Sequence, residues 1–267
     1  MARKALKNLF SLIDKETQPV EKQFLTDLCR SIEIQDKKDR RPSSQSYKPS
    51  SMNCIRSMYY QVTGEPEDEG TTPYSLVGIC NAGTDIHERT QKAVVAMKSN
   101  GFDCEYVSVA DYVQQRGLED IEIVEQCGME TKLYHKKLNI RFLCDGIIRY
   151  HGHYYILELK TEASFKWAER KGVDPKHYHQ GICYSLSLGI DDVIFVYISR
   201  DVLSMKSFMF TPTKQQKDEL VRLIKTCDSY VEKHEVPPKP DDLPKGTCSY
   251  CAYQGRCACE TTENTAL

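Results

Sequence analysis

The chain has one tryptophan, no apolar run longer than Val193 to Ile198, and almost no excess of either charge, with 36 Lys and Arg against 38 Asp and Glu in 267 residues. A run that short excludes a bilayer-spanning helix, which needs about 20 apolar residues, so no membrane partner is expected. The opening Met1-Ala2-Arg3-Lys4-Ala5 lacks the apolar stretch of a secretory signal, and the expected location is the cytoplasm or another reducing compartment. A net charge of −2 and a pI of about 6.4 exclude a protein that coats nucleic acid by charge alone. They leave room for a local basic groove. There is no G-x4-G-K-S/T phosphate loop, so any nucleotide-driven motor has to be a partner. The 40% hydrophobic and 28% charged content excludes disorder and collagen. No internal repeat is visible, and the length suits one large domain or a core with an appendage.

What is present divides into three stretches: a helical region and linker (1–50), a core (51–235) and a cysteine-rich tail (236–267). Leu6, Phe10 and Ile13, then Phe24, Leu25, Leu28 and Ile32, recur at helical spacing. From Asp36 to Ser51 the chain turns charged and rich in Ser and Pro, which predicts a linker. Helices are expected over 52–62, 75–99, 175–188 and 213–233. Strands are expected over 105–110, 121–127, 130–134, 140–150, 154–159, 193–199 and 205–210. His151-Gly152 predicts a hairpin turn. This order is an α/β fold with a central mixed sheet.

The chemistry concentrates at Cys144-Asp145-Gly146 and Ile156-Leu157-Glu158-Leu159-Lys160, with Asp145 in one predicted strand and Glu158 13 positions later in the next. Strand periodicity puts Glu158 and Lys160 on one face and Leu159 on the other. Two carboxylates meeting across neighbouring strands, with the Leu159 carbonyl beside them, make a hard-oxygen site for Mg²⁺ or Mn²⁺. A lysine beside such an ion can hold water and stabilise charge on a transferring phosphate. The other reading is a charged outer strand face.

Asp145 followed by Glu158-Leu159-Lys160 resembles the active-site signature of the PD-(D/E)XK nuclease superfamily, whose core is restriction-endonuclease-like. Gly83-Thr84-Asp85-Ile86-His87 resembles the helix motif of its RecB-like exonuclease branch, and Gln180 with Tyr184 resembles that branch's Gln-x3-Tyr motif. The resemblance implies His87, Asp145 and Glu158 as metal ligands with the Leu159 carbonyl. It implies Lys160 as the residue that positions or activates water, and Gln180 and Tyr184 as phosphate or lysine contacts. His135, His151, His153, His177 and His179 match no motif and are expected as surface residues or secondary phosphate contacts, His177 and His179 lying near Gln180. Trp167 and Tyr178 are candidate platforms for unpaired bases, within a stretch where Phe165 and Trp167 alternate with Lys166, Arg170 and Lys171. An amphipathic helix covering the sheet would have the same pattern.

Of twelve cysteines, Cys29, Cys80, Cys104, Cys127, Cys144, Cys183, Cys227 and Cys259 fall singly and are expected as buried small side chains. Cys248, Cys251 and Cys257 form a C-x2-C-x5-C array that needs a fourth ligand. Cys259 would complete a local site able to hold zinc, and the distant Cys54 is the other choice. The helix opening at Ser51-Met52-Asn53-Cys54-Ile55-Arg56 resembles that of iron–sulfur nucleases in the RecB-like group, which include the AddB subunit and CRISPR-associated adaptation nucleases. That resemblance implies a 4Fe-4S cluster held by Cys54, Cys248, Cys251 and Cys257.

The expected activity is metal-dependent hydrolysis of DNA phosphodiesters, as an exonuclease on single strands or free ends, in recombination, replication, repair or CRISPR adaptation. Helicase, recombination or CRISPR proteins are the expected partners, and related nucleases form ring-shaped oligomers. A non-catalytic iron–sulfur module for DNA binding or assembly, and a zinc-ribbon interaction protein, are the alternatives.

Overall fold

A computed structural model describes residues 19–40, 44–68, 70, 72–127, 130–244 and 246–263, without the side chains of 127, 250 and 259–263. The helical reading at Leu6, Phe10 and Ile13 lies outside the described residues. The chain forms two units, Met1–Pro42 with Glu69–Ala82 and Ser43–Asp68 with Gly83–Leu267.

In the first unit, α1 (Val20–Asp39) follows the apolar period, yet none of its residues is buried, and Phe24, Leu25 and Leu28 face solvent. It also runs past Asp36, into the expected linker. Lys37 and Lys38 occupy its last turn, where the helix dipole favours cations. Glu33 accepts the Tyr74 N–H at 3.1 Å, and Arg40 donates to the Thr72 hydroxyl at 2.5 Å.

The further helices are α2 (Ile55–Thr63), α3 (Tyr74–Ala96), α4 (Val109–Gln115), α5 (Ser164–Glu169), α6 (Tyr178–Leu188), α7 (Lys214–Lys233) and α8 (Gln254–Glu263). The strands are β1 (Cys104–Val107), β2 (Ile121–Cys127), β3 (Glu130–His135), β4 (Ile140–Cys144), β5 (Gly146–Tyr150), β6 (His153–Glu162), β7 (Val193–Ser199) and β8 (Met205–Phe210). Five strands form a mixed sheet in the order β1-β5-β6-β7-β8, in which β6 and β7 run parallel and the other neighbours antiparallel. β2, β3 and β4 form a second, antiparallel sheet. The architecture is mixed α/β, with a central mixed sheet flanked by helices.

Three local differences from the sequence reading have physical causes. The strand expected over 105–110 stops at Val107, because the Ser108 hydroxyl accepts the Asp111 N–H and caps α4. The strand expected over 140–150 breaks at Asp145, where the chain leaves the three-stranded sheet and enters the five-stranded one. Cys80 is exposed and Cys29 only half-buried, the latter on a helix with no buried face. Cys104, Cys144, Cys183 and Cys227 are buried as expected, and the side chains of Cys127 and Cys259 lie outside the described ones.

The expected hairpin joins β5 to β6, with His151 at φ 48° and Gly152 at φ 81°. Both central positions of such a two-residue turn require positive φ. β6 divides its side chains between two clusters. Leu157 and Leu159 pack with Cys104 and Ile148 against Val94 of α3 and Met97 just beyond its end. Ile156 faces the larger core that holds Ile182, Cys183 and Tyr184 of α6 and Phe195 and Tyr197 of β7. That second face also carries Glu158 and Lys160. No helix among the described residues is long and apolar enough to cross a membrane.

Candidate functional site

Period-two alternation turns Glu158 and Lys160 to the α6 side of the sheet, and Lys160 Nζ lies 2.5 Å from Glu158 Oε1. Gln180 of α6 donates to the same oxygen at 2.6 Å. Among the described residues, Oε2 of Glu158 is buried with no hydrogen-bond partner. Asp145, in the break between β4 and β5, is one step beyond the Gly146–Leu157 pair and so beside Glu158. Its Oδ2 accepts the Leu159 N–H at 2.7 Å, and its carbonyl accepts from Gln91 of α3 at 3.0 Å. Burial raises the pKa of both carboxyls, and for Glu158 the neighbouring Asp145 charge adds to the rise. A buried carboxylate oxygen without a donor is costly unless it is protonated or a cation occupies the space before it. That orphaned oxygen, with oxygen donors around it, fits a hard divalent ion such as Mg²⁺ or Mn²⁺.

His87 arrives from α3, its Nδ1 3.8 Å from Asp145 Oδ1. The helix comes close to β6 at Gly83, where a Cβ would sit 3.0 Å from the Thr161 hydroxyl. Burial lowers the His87 pKa, which favours the neutral, metal-ligating imidazole. Glu130 completes a group with His87 and Asp145 whose ligand atoms all lie within 4.8 Å of one another. Sequence reasoning missed Glu130. The signal was the β3–β4 register: Thr131 pairs with Cys144, so Glu130 stands opposite Asp145.

Tyr184, expected at phosphate or lysine, is buried. Its hydroxyl accepts from Gln180 at 2.6 Å and donates to the Leu143 carbonyl at 2.7 Å. Tyr184 thereby links Gln180, the donor to Glu158, to the end of β4. His177, expected at the surface, lies among aromatic side chains, with Nδ1 2.9 Å from the Tyr197 hydroxyl. His179 is half-buried and bonded to Asn53 Oδ1 at 3.0 Å. His135 is half-buried too, while His151 and His153 are exposed. Trp167 donates to the Tyr197 carbonyl and lies under Lys206 Nζ, and Tyr178 stacks on Phe210. Both rings thus have protein partners, and Trp167 packs from α5 against the core while Phe165 of the same helix is exposed.

Away from the carboxylates, Cys54, Cys248, Cys251 and Cys257 line one cavity of about 460 Å³. Cys54 occupies the N-cap of α2. Burial raises its thiol pKa, the Ser57 and Arg56 N–H groups oppose that rise, and Cys251 and Cys257 add to it. Arg56 is 6% exposed. It donates to the Pro237 carbonyl at 2.8 Å and reaches Cys257 Sγ at 3.5 Å. A buried guanidinium facing sulfur fits an anionic thiolate centre. Among the described residues, no three of these sulfurs gather within 4.8 Å. Tetrahedral zinc would hold its sulfurs about 3.8 Å apart.

No family model and no curated protein matches the chain. Among solved structures it is similar to SSO0001, with a TM-score of 0.45 and 15% identity over 88% of this chain and 97% of that one. It is also similar to the alkaline exonuclease LHK-Exo of Laribacter hongkongensis, with a TM-score of 0.42 and 12% identity over 72% of this chain and 90% of that one. LHK-Exo in complex with dAMP gives 0.43 and 13%, over 71% and 89%.

Proposed function

We propose that this chain is a metal-dependent deoxyribonuclease of the PD-(D/E)XK type that hydrolyses DNA phosphodiesters from free ends. The observation that carries the reading is Glu158, buried, with one oxygen held by Lys160 and Gln180 and the other without a donor. Asp145, Glu158, His87 and the Leu159 carbonyl would hold Mg²⁺ or Mn²⁺, with Glu130 joining them. When bound, that ion neutralises phosphate charge and lowers the pKa of water. Lys160 orients the attacking water and offers a positive charge to the phosphate oxygen that gains negative charge. Gln180, anchored by Tyr184, keeps the Glu158 carboxylate in place. The products are one end bearing a phosphate and one bearing a hydroxyl.

A 4Fe-4S cluster at Cys54, Cys248, Cys251 and Cys257 belongs to the same reading. It would join the first helix of the core to the tail that follows it, and Arg56 would offset its negative charge. The test is cleavage of 5′- and 3′-end-labelled single-stranded and duplex DNA in Mn²⁺ by anaerobically purified protein. Trimming from one end, lost in Lys160→Ala, is the expected result. A folded, metal-supplied wild type that leaves every substrate intact would refute the reading.

A further inference from the structure

His177 has no part in the site as described above, yet its ring stacks on two residues that flank the site. Its centroid lies 6.3 Å from that of Phe195 and 5.8 Å from that of Tyr197, at interplanar angles of 11° and 24°. On the parallel β6–β7 pair, Phe195 is in register with Glu158 and Tyr197 with Lys160. Partners in register project to the same side of a sheet. The imidazole therefore covers the strand beside the carboxylate and lysine, on their own face.

The hydrogen bonds around Tyr197 favour one tautomer of the ring. The Asp174 N–H donates to the Tyr197 hydroxyl at 3.0 Å, so that oxygen is already an acceptor. Its own hydrogen is left for His177 Nδ1, 2.9 Å away. The proton of the neutral ring then sits on Nε2. Among the described residues Nε2 has no protein partner, and it is not among the sealed, unpaired polar atoms. Burial first, and then the charge of Lys160, push the His177 pKa down to about 3. The imidazole stays uncharged near neutrality, and a free N–H beside a lysine is suited to an anion.

We propose that His177 donates its Nε2 hydrogen to a phosphate oxygen of the DNA strand, beside the phosphate held at Lys160. The assignment rests on the nuclease reading and names a contact that reading does not contain. A second cationic contact would add to the local positive charge, whereas this donor adds direction without charge. The ring's stacking and the Tyr197 bond fix that direction before substrate arrives.

Two substitutions separate donation from packing. H177F keeps an aromatic ring and removes the donor; H177Q loses the ring but can place an amide N–H near the position of Nε2. The assignment predicts that H177F lowers kcat/KM in Mn²⁺ by about 10- to 100-fold, the range for a bond to a charged group. It also predicts weaker binding of a labelled single-stranded oligonucleotide in Ca²⁺, and recovery of both towards wild type in H177Q. A packing role predicts the opposite ranking, with H177F near wild type and H177Q impaired, and that ranking would overturn the assignment. ¹⁵N shifts of His177 should report the Nε2-protonated tautomer, and the Nδ1-protonated form would also overturn it. Failure of the nuclease reading is seen separately, as a wild type that cleaves nothing, and this assignment falls with it.

Discussion

The amide of Leu159 donates to the carboxylate of Asp145 at 2.7 Å, so the backbone between Glu158 and Lys160 itself holds the first acidic residue in place. One peptide unit thereby sets the spacing of both carboxylates: its N–H orders Asp145, while Glu158 and Lys160 project to the opposite face from Leu159. Because the arrangement is built from backbone, its geometry precedes any ion.

Two buried carboxylates with raised pKa values make the metal-free fold sensitive to alkali. Burial pushes Asp145 up to about 7 and Glu158 up to about 8. A raised folded-state pKa favours the protonated form, so stability is fullest below the unfolded value of about 4 and is lost as pH rises through 7 to 8. In EDTA, Glu158→Gln should melt at a higher temperature than wild type at pH 8.5, and the gap should narrow towards pH 5. Thermal melts across that range check it; a gap that does not change with pH would contradict the burial of Glu158.

Glu130 supplies an oxygen within 4.8 Å of His87 and Asp145 ligand atoms. Glu130→Gln should weaken Mn²⁺ binding at least by the roughly 10- to 100-fold that loss of an outer-shell partner costs. Calorimetric titration of the variant, with a melt to confirm its fold, measures this directly.

The hydroxyl of Tyr184 bridges Gln180 and the Leu143 carbonyl. Tyr184→Phe should cost about 0.5 to 1.5 kcal/mol of stability by removing the hydrogen bond to the Leu143 carbonyl. It should also lower kcat more than it raises KM, since the residue supports Gln180 and Glu158 without touching substrate. Chemical denaturation and steady-state kinetics on one preparation separate the two effects.

At the cysteines, anaerobic wild type should carry about four iron atoms with matching sulfide per chain, as a cluster of this type requires. Cys54→Ala should lose that iron and melt earlier. Arg56→Met should retain less iron than Arg56→Lys, because only lysine keeps a cation beside Cys257. One zinc per chain, with no iron, would favour the interaction-ribbon alternative.

The hairpin and its acidic face were legible because they depend on local rules. His151-Gly152 accommodates the turn, and alternation along β6 separates Glu158 and Lys160 from Leu159. Glu130 was not legible, since its place depends on the β3–β4 register, and no local pattern states which residue faces Asp145. The break at Asp145 was hidden for a related reason: the runs 140–144 and 147–150 on either side are strand formers, and the Asp145-Gly146 pair between them is as compatible with a bulge in one strand as with a change of sheet. His177 looked like a surface residue because its neighbours in sequence are polar. Its actual surroundings, Phe195 and Tyr197, lie on a strand reached only after α6. Cys54 met the tail cysteines through a resemblance, and the cavity they share is a long-range contact that spacing alone leaves open between Cys54 and Cys259.

The central claim is that the buried pair Asp145 and Glu158 is a divalent-metal site, and Mn²⁺ titration of EDTA-treated protein at pH 7.5 tests it most directly. The account predicts saturable binding to wild type with a rise in melting temperature, and loss of both in a folded Glu158→Gln variant. Wild type that binds no Mn²⁺, or a variant that binds as wild type does, would contradict it.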